Sequence, residues 1–121
     1  MKVLRIRADG RGESHFDTQE ISLTLQEFAP PAAALYVAQE QHASGYQLIR
    51  LPPGWVGAPH PAPYRQMLFC LAGSFNVSSS AGETRTVSSG DAFLIEDTSG
   101  KGHSTLVTSS EPVDAVLVRV D

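Results

Sequence analysis

The chain has 121 residues, 41% hydrophobic and 18% charged, with 9 Lys and Arg against 13 Asp and Glu for a formal net charge of −4. These values fit one soluble globular domain with material for a core, and the absence of any Lys/Arg cluster argues against nucleic acid as a partner. No apolar run nears the roughly 20 residues of a spanning helix, and Met1-Lys2-Val3-Leu4-Arg5 lacks a secretory apolar block, so no membrane partner and a cytoplasmic location are expected.

Lys2 to Arg7 alternates as a strand does, and Asp9-Gly10-Arg11-Gly12 is a turn. Ile21 to Leu25 alternates again. Phe28-Ala29-Pro30-Pro31-Ala32-Ala33-Ala34 is then a connector, because two prolines oppose both helix continuation and ladder pairing. Residues 1–45 are therefore expected to be an N-terminal β arm and connector wrapped outside the barrel. Residues 46–121 would form the barrel core of a single domain, 1–121.

The rest of the chain is a series of short apolar or alternating runs: Leu48 to Leu51, Gln66 to Ala72, Ser74 to Ser78, Glu83 to Val87, Ala92 to Ile95, Ser104 to Thr108 and Ala115 to Val120. Ala81-Gly82 suits a tight hairpin, and Ser89-Gly90-Asp91 punctuates the next pair. Strands at this spacing predict an all-β barrel or sandwich. The single cysteine, Cys70, rules out an internal disulfide and a multi-cysteine zinc site. Within Met67-Leu68-Phe69-Cys70-Leu71-Ala72 it reads as a small buried hydrophobe.

If Gln66 points inward, so do Leu68 and Cys70, by the two-residue period of a strand. Met67, Phe69 and Leu71 then face outward and are apolar too. A strand apolar on both faces is covered on both, here by the N-terminal arm or by a second copy of the chain.

One constellation carries chemistry. Gly54 is followed after five residues by His60, then by Ala62, Gln66 and, six residues on, Gly73; the second part runs from Gly90-Asp91 to His103. This spacing resembles the cupin pattern Gly-x5-His-x-His-x3-4-Glu-x6-Gly, with Ala62 in the slot of the second histidine and Gln66 in that of the glutamate. In the second half Glu96 stands in a proline slot, and His103 arrives two residues late through Thr98-Ser99-Gly100-Lys101-Gly102. The segment from Glu96 to His103, with His60-Pro61-Ala62-Pro63 and Gln66, is similar to a group of small bacterial cupins without an assigned activity.

The resemblance implies a jelly-roll barrel, a cupin double-stranded β-helix, and a homodimer. It also implies a divalent transition metal (Zn, Fe, Mn, Ni or Cu) on His60, Gln66 and His103 and a small organic ligand. Imidazoles are good ligands and a neutral Gln oxygen is a poor one, so Lewis-acid steps are expected ahead of iron oxygenation. The alternative is a metal-free, non-catalytic binder or sensor whose histidines form hydrogen bonds. His60, Ala62, Tyr64 and Gln66 share parity, so a regular strand would turn all four inward, although Pro61 and Pro63 oppose that register. Glu96 and Tyr64 are the candidate catalytic residues. Of Glu96 and Asp97 at most one can face the pocket, and a solvated turn is the commoner fate of such acids. Trp55 and Tyr64 are candidate pocket walls, while His15 and His42 have no ligand spacing.

Overall fold

Alternation dominates the whole chain, and the computed structural model, which describes residues 1–121, is built of twelve strands with no helix. They are β1 (Lys2–Ala8), β2 (Ser14–Glu20), β3 (Thr24–Gln26), β4 (Leu35–Val37), β5 (Ala43–Leu51) and β6 (Val56–His60), followed by β7 (Gln66–Ala72), β8 (Ser74–Ser79), β9 (Thr84–Ser88), β10 (Ala92–Glu96), β11 (His103–Val107) and β12 (Val113–Val120). A six-stranded sheet has the order β2-β1-β10-β7-β12-β5 and a four-stranded sheet the order β6-β11-β8-β9. The fold is the expected all-β jelly-roll sandwich.

The period of two explains the core. Leu68 and Cys70 of β7, Phe93 and Ile95 of β10, Ala115 of β12, Ile6 of β1 and Phe16 of β2 turn to one side of the larger sheet. Phe75, Val77, Val87 and Val107 of the smaller sheet belong to the same cluster. Each large side chain buried in this way contributes about 1.5–3 kcal/mol. Burial pushes the Cys70 thiol above its ordinary value, which agrees with its reading as an inert core residue.

Two expectations need correction. Residues 2–20 do not wrap the barrel. β1 and β2 are strands of the larger sheet, β1 running parallel to β10, because Val3, Ile6 and Phe16 have apolar surface to bury. What stays outside is residues 21–42, with the short antiparallel pair β3–β4. Second, no continuous strand runs from His60 to Gln66. The chain leaves the smaller sheet at His60, passes through Pro61-Ala62-Pro63-Tyr64-Arg65, and enters the larger sheet at Gln66. The prolines end the ladder there.

On the outer face of the larger sheet, Arg5 holds Asp17 through two hydrogen bonds of 2.7 Å. Arg5 also lies 3.5 Å from Glu96, which is hydrogen-bonded by Arg65. This chain of charge ties β2, β1, β10 and the entry to β7 side by side. Beside it the face is apolar: Phe69 is 42% exposed, Leu71 56%, Tyr46 76% and Leu48 69%.

Candidate functional site

The site begins with a strand pair. His103 opens β11, and its register partners are His60 on β6 and Ser79 on β8. The two imidazole rings lie with centroids 5.3 Å apart at 46°. His103 is buried with Ser79, whereas His60 stays exposed at the rim. The glycine-rich loop before His103 brings the two together. Gly102 has φ +71°, and a Cβ there would meet the carbonyl oxygen of His60 at 1.9 Å, so only glycine lets the strand approach so closely. Gly100 packs against Gly12 in the same way. Ser14 clips the loop further, donating its hydroxyl to the Gly102 carbonyl at 2.7 Å.

Asp97 lies one residue beyond β10. Continuing the inward parity of Phe93 and Ile95, it is enclosed completely. Its Oδ2 lies 2.6 Å from Nδ1 of His103. A carboxylate accepts, so Nδ1 carries the proton and Nε2 presents a lone pair. Oδ1 of Asp97 meets no donor of the protein. At the rim, Nδ1 of His60 lies 2.7 Å from the Ala58 carbonyl oxygen. A carbonyl can only accept, so in His60 too the neutral ring keeps its lone pair on Nε2. The pair thus offers two acceptor nitrogens on adjacent strands. They can take a proton from a ligand hydroxyl, ammonium or acidic C–H, or serve as metal ligands.

A metal would need more than these two. No three His, Cys, Asp or Glu side chains converge anywhere in the molecule. Gln66, the third expected ligand, is neutral and sits on the opposite sheet, where it pairs with Ile95 on β10 and Arg119 on β12. By donor chemistry these residues do not fit a tightly held divalent ion.

Other sequence candidates have different places. Glu96 points outward and is engaged by Arg65 and Arg5, so of the adjacent acids it is Asp97 that faces inward. Ala62 is buried, and its N–H donates to the Asp97 carbonyl at 2.9 Å. Tyr64, 45% exposed, lies under the guanidinium of Arg119 at 4.0 Å. Trp55 stands against Gly57, where an added Cβ would meet its ring at 2.8 Å. His15 and His42 are surface residues bound to Asp9 and Asp121. Sequence reasoning undervalued Asp97, whose signal was its shared parity with Ile95, and overlooked Arg119.

Comparison with known proteins agrees with this architecture. A family model described as a cupin domain matches residues 47–119. Among solved structures, a conserved protein of unknown function from Streptococcus pyogenes superposes with a TM-score of 0.50 at 20% identity, over 69% of this chain and 69% of that one. The polyketide cyclase RemF from Streptomyces resistomycificus gives 0.51 at 20% identity, over 62% of this chain and 54% of the cyclase. A conserved barrel domain protein from Salinispora arenicola gives 0.51 at 16% identity, over 82% and 76%. At such identities the likeness is one of fold alone. No curated protein matches the chain.

Proposed function

This chain belongs to the cupin family, and from that premise we propose that it binds a small organic molecule inside the sandwich, where His103 exchanges a proton with the ligand. The observation that carries this reading is the 2.6 Å contact between Nδ1 of His103 and a fully enclosed Asp97. A carboxylate behind an imidazole fixes its tautomer and stabilises the imidazolium formed when Nε2 takes a proton. His60, the register partner of His103, offers a second imidazole at the rim. The test is a small-molecule screen by thermal shift on wild type, His103→Ala and Asp97→Asn, each stripped of metal. Hits that lose their shift in both variants support the reading, and hits retained by His103→Ala overturn it.

A second reading is a divalent metal weakly held by His60, Gln66 and His103. One observation favours it: a buried carboxylate on the far nitrogen of an imidazole is a habitual companion of metal-ligating histidine. Elemental analysis after exposure to Zn, Fe, Mn, Ni and Cu separates the two. Near-stoichiometric metal, lost in His60→Ala and His103→Ala, would favour the metal; none retained would leave the proton-exchange reading alone.

The outer face of the larger sheet is proposed as the contact with a second copy. Tyr46 and Leu48 on β5 share the face of Phe69, through Val116 and Val118 of β12 between them. All four of Tyr46, Leu48, Phe69 and Leu71 are exposed. Exposed apolar surface of this kind marks an association site.

A further inference from the structure

Arg119 is a cation without an acid. The chain has 9 Lys and Arg, and ion pairs engage Arg5, Arg7, Arg50, Arg65, Arg85 and Lys101. Of the remainder, Lys2 and Arg11 project from a strand end and a turn. Arg119 alone of these three is held in place, its guanidinium carbon 4.0 Å from the Tyr64 ring centroid. Stacking occupies one flat face of the guanidinium and leaves its in-plane N–H edge free. No acceptor in the protein takes that edge. Arg85 makes the contrast: it lies over Phe16 at 5.4 Å, but its fork is used on Glu83 and the Thr84 carbonyl.

The surroundings form a receptacle. Arg119 pairs in register with Gln66 on one side and with Gly45 on the other. Glycine puts no side chain in that row, and a Cβ there would meet nothing within 4 Å. A depression of about 340 Å³ opens at this point, bounded by Arg119, Tyr64, Gln66, Gln47, Ser44 and Leu117 among others. Its chemistry is one fixed positive fork, neutral amide and hydroxyl groups, and an apolar floor. No carboxylate lines it.

We infer that this depression is a binding site for an organic carboxylate, whose two oxygens accept the two parallel N–H groups of Arg119 while its carbon skeleton lies toward Tyr64 and Leu117. A guanidinium fork matches a carboxylate in shape as well as charge. Gln47 and Gln66 supply amide groups for further polar substituents. Arg119, Gln66, Gln47 and Leu117 belong to the larger sheet, and neither His60 nor His103 lines the depression.

The experiment is titration of the full chain with benzoate and with neutral benzamide, followed by calorimetry and by the side-chain NMR signals of arginine. The proteins are wild type, Arg119→Met, Arg119→Lys, Gly45→Val and His103→Asn. Benzoate should bind wild type and shift the Arg119 signal, while benzamide should bind at least roughly tenfold more weakly. Arg119→Met should lose roughly tenfold or more, Arg119→Lys should fall between, and Gly45→Val, which keeps every polar group, should weaken binding by filling the slot. Absence of benzoate binding to wild type, equal binding of benzamide, or unchanged affinity in Arg119→Met each overturns the assignment. His103→Asn should bind benzoate as wild type does, so a failed proton-exchange reading and a failed carboxylate site give different results. Arg119 is exposed, and thermal unfolding of each variant checks that it is folded.

Discussion

Gly102 rests on His60: a side chain at residue 102 would have its Cβ 1.9 Å from the His60 carbonyl oxygen. Gly102→Ala should therefore both strain a left-handed residue and push β11 from β6. We expect a loss of roughly 2–4 kcal/mol, read as a lower midpoint in denaturant. The His60 and His103 ring signals should shift with it. An unchanged midpoint would mean that the two strands separate at little cost.

His103 and Asp97 should be energetically coupled. His103→Ala leaves an enclosed carboxylate without its hydrogen-bond donor, a change that costs about 1–3 kcal/mol or more when the group left unpaired is buried. Asp97→Asn keeps the volume and should cost less. In a double-mutant cycle the coupling should reach about 1–3 kcal/mol. Additive effects would show that the contact does not operate in solution.

The acid limb of stability should respond to Asp17. Hydrogen bonds from Arg5 hold this carboxyl below its ordinary value of 3.8. A depressed value in the folded state means that the contribution is complete above the unfolded value and is lost as pH falls through the folded one. Asp17→Asn should thus lower stability at neutral pH and flatten its decline below about pH 4. Parallel curves for the two proteins would remove Asp17 from the acid response.

Phe69→Asp tests the outer face. Its ring is 42% exposed on the larger sheet, and a carboxylate there should weaken association by at least about tenfold. Light scattering over a dilution series reads the mass. Identical monomeric masses for wild type and variant would refute the second-copy contact.

Much of the fold was legible because alternation is local. Gln66 to Ala72 matches β7 residue for residue, and the runs from Ser74 to Val120 fall within one or two residues of β8 to β12. β2 escaped because Ser14-His15-Phe16-Asp17-Thr18-Gln19-Glu20 has one large apolar residue and is held by pairing with β1. β6 escaped for the opposite reason: Val56-Gly57-Ala58-Pro59-His60 is poor in strand formers and lies along β11. The same limit governs the site. Spacing singled out His60 and His103, which the fold makes register partners. Arg119 left no local signal, since its importance lies in Tyr64, 55 positions earlier, and in the acids that are absent around it.

The parallel pairing of β1 with β10 has a kinetic consequence. Leu4 faces Phe93 and Arg7 faces Glu96, so the β1–β2 hairpin, whose strands pair locally, waits for the distant strand that joins it to the larger sheet. Closing so large a loop is slow. During synthesis β1 has β2 on one edge, and its other edge is unpaired until residues 92–96 have left the ribosome. Pulse-labelled hydrogen exchange during refolding should find the β1 amides that bond to β10 protected after those of the β1–β2 and β8–β9 hairpins, which close within a few residues. The larger sheet would then be completed from its middle outward, with the β1–β2 hairpin among the last units to dock.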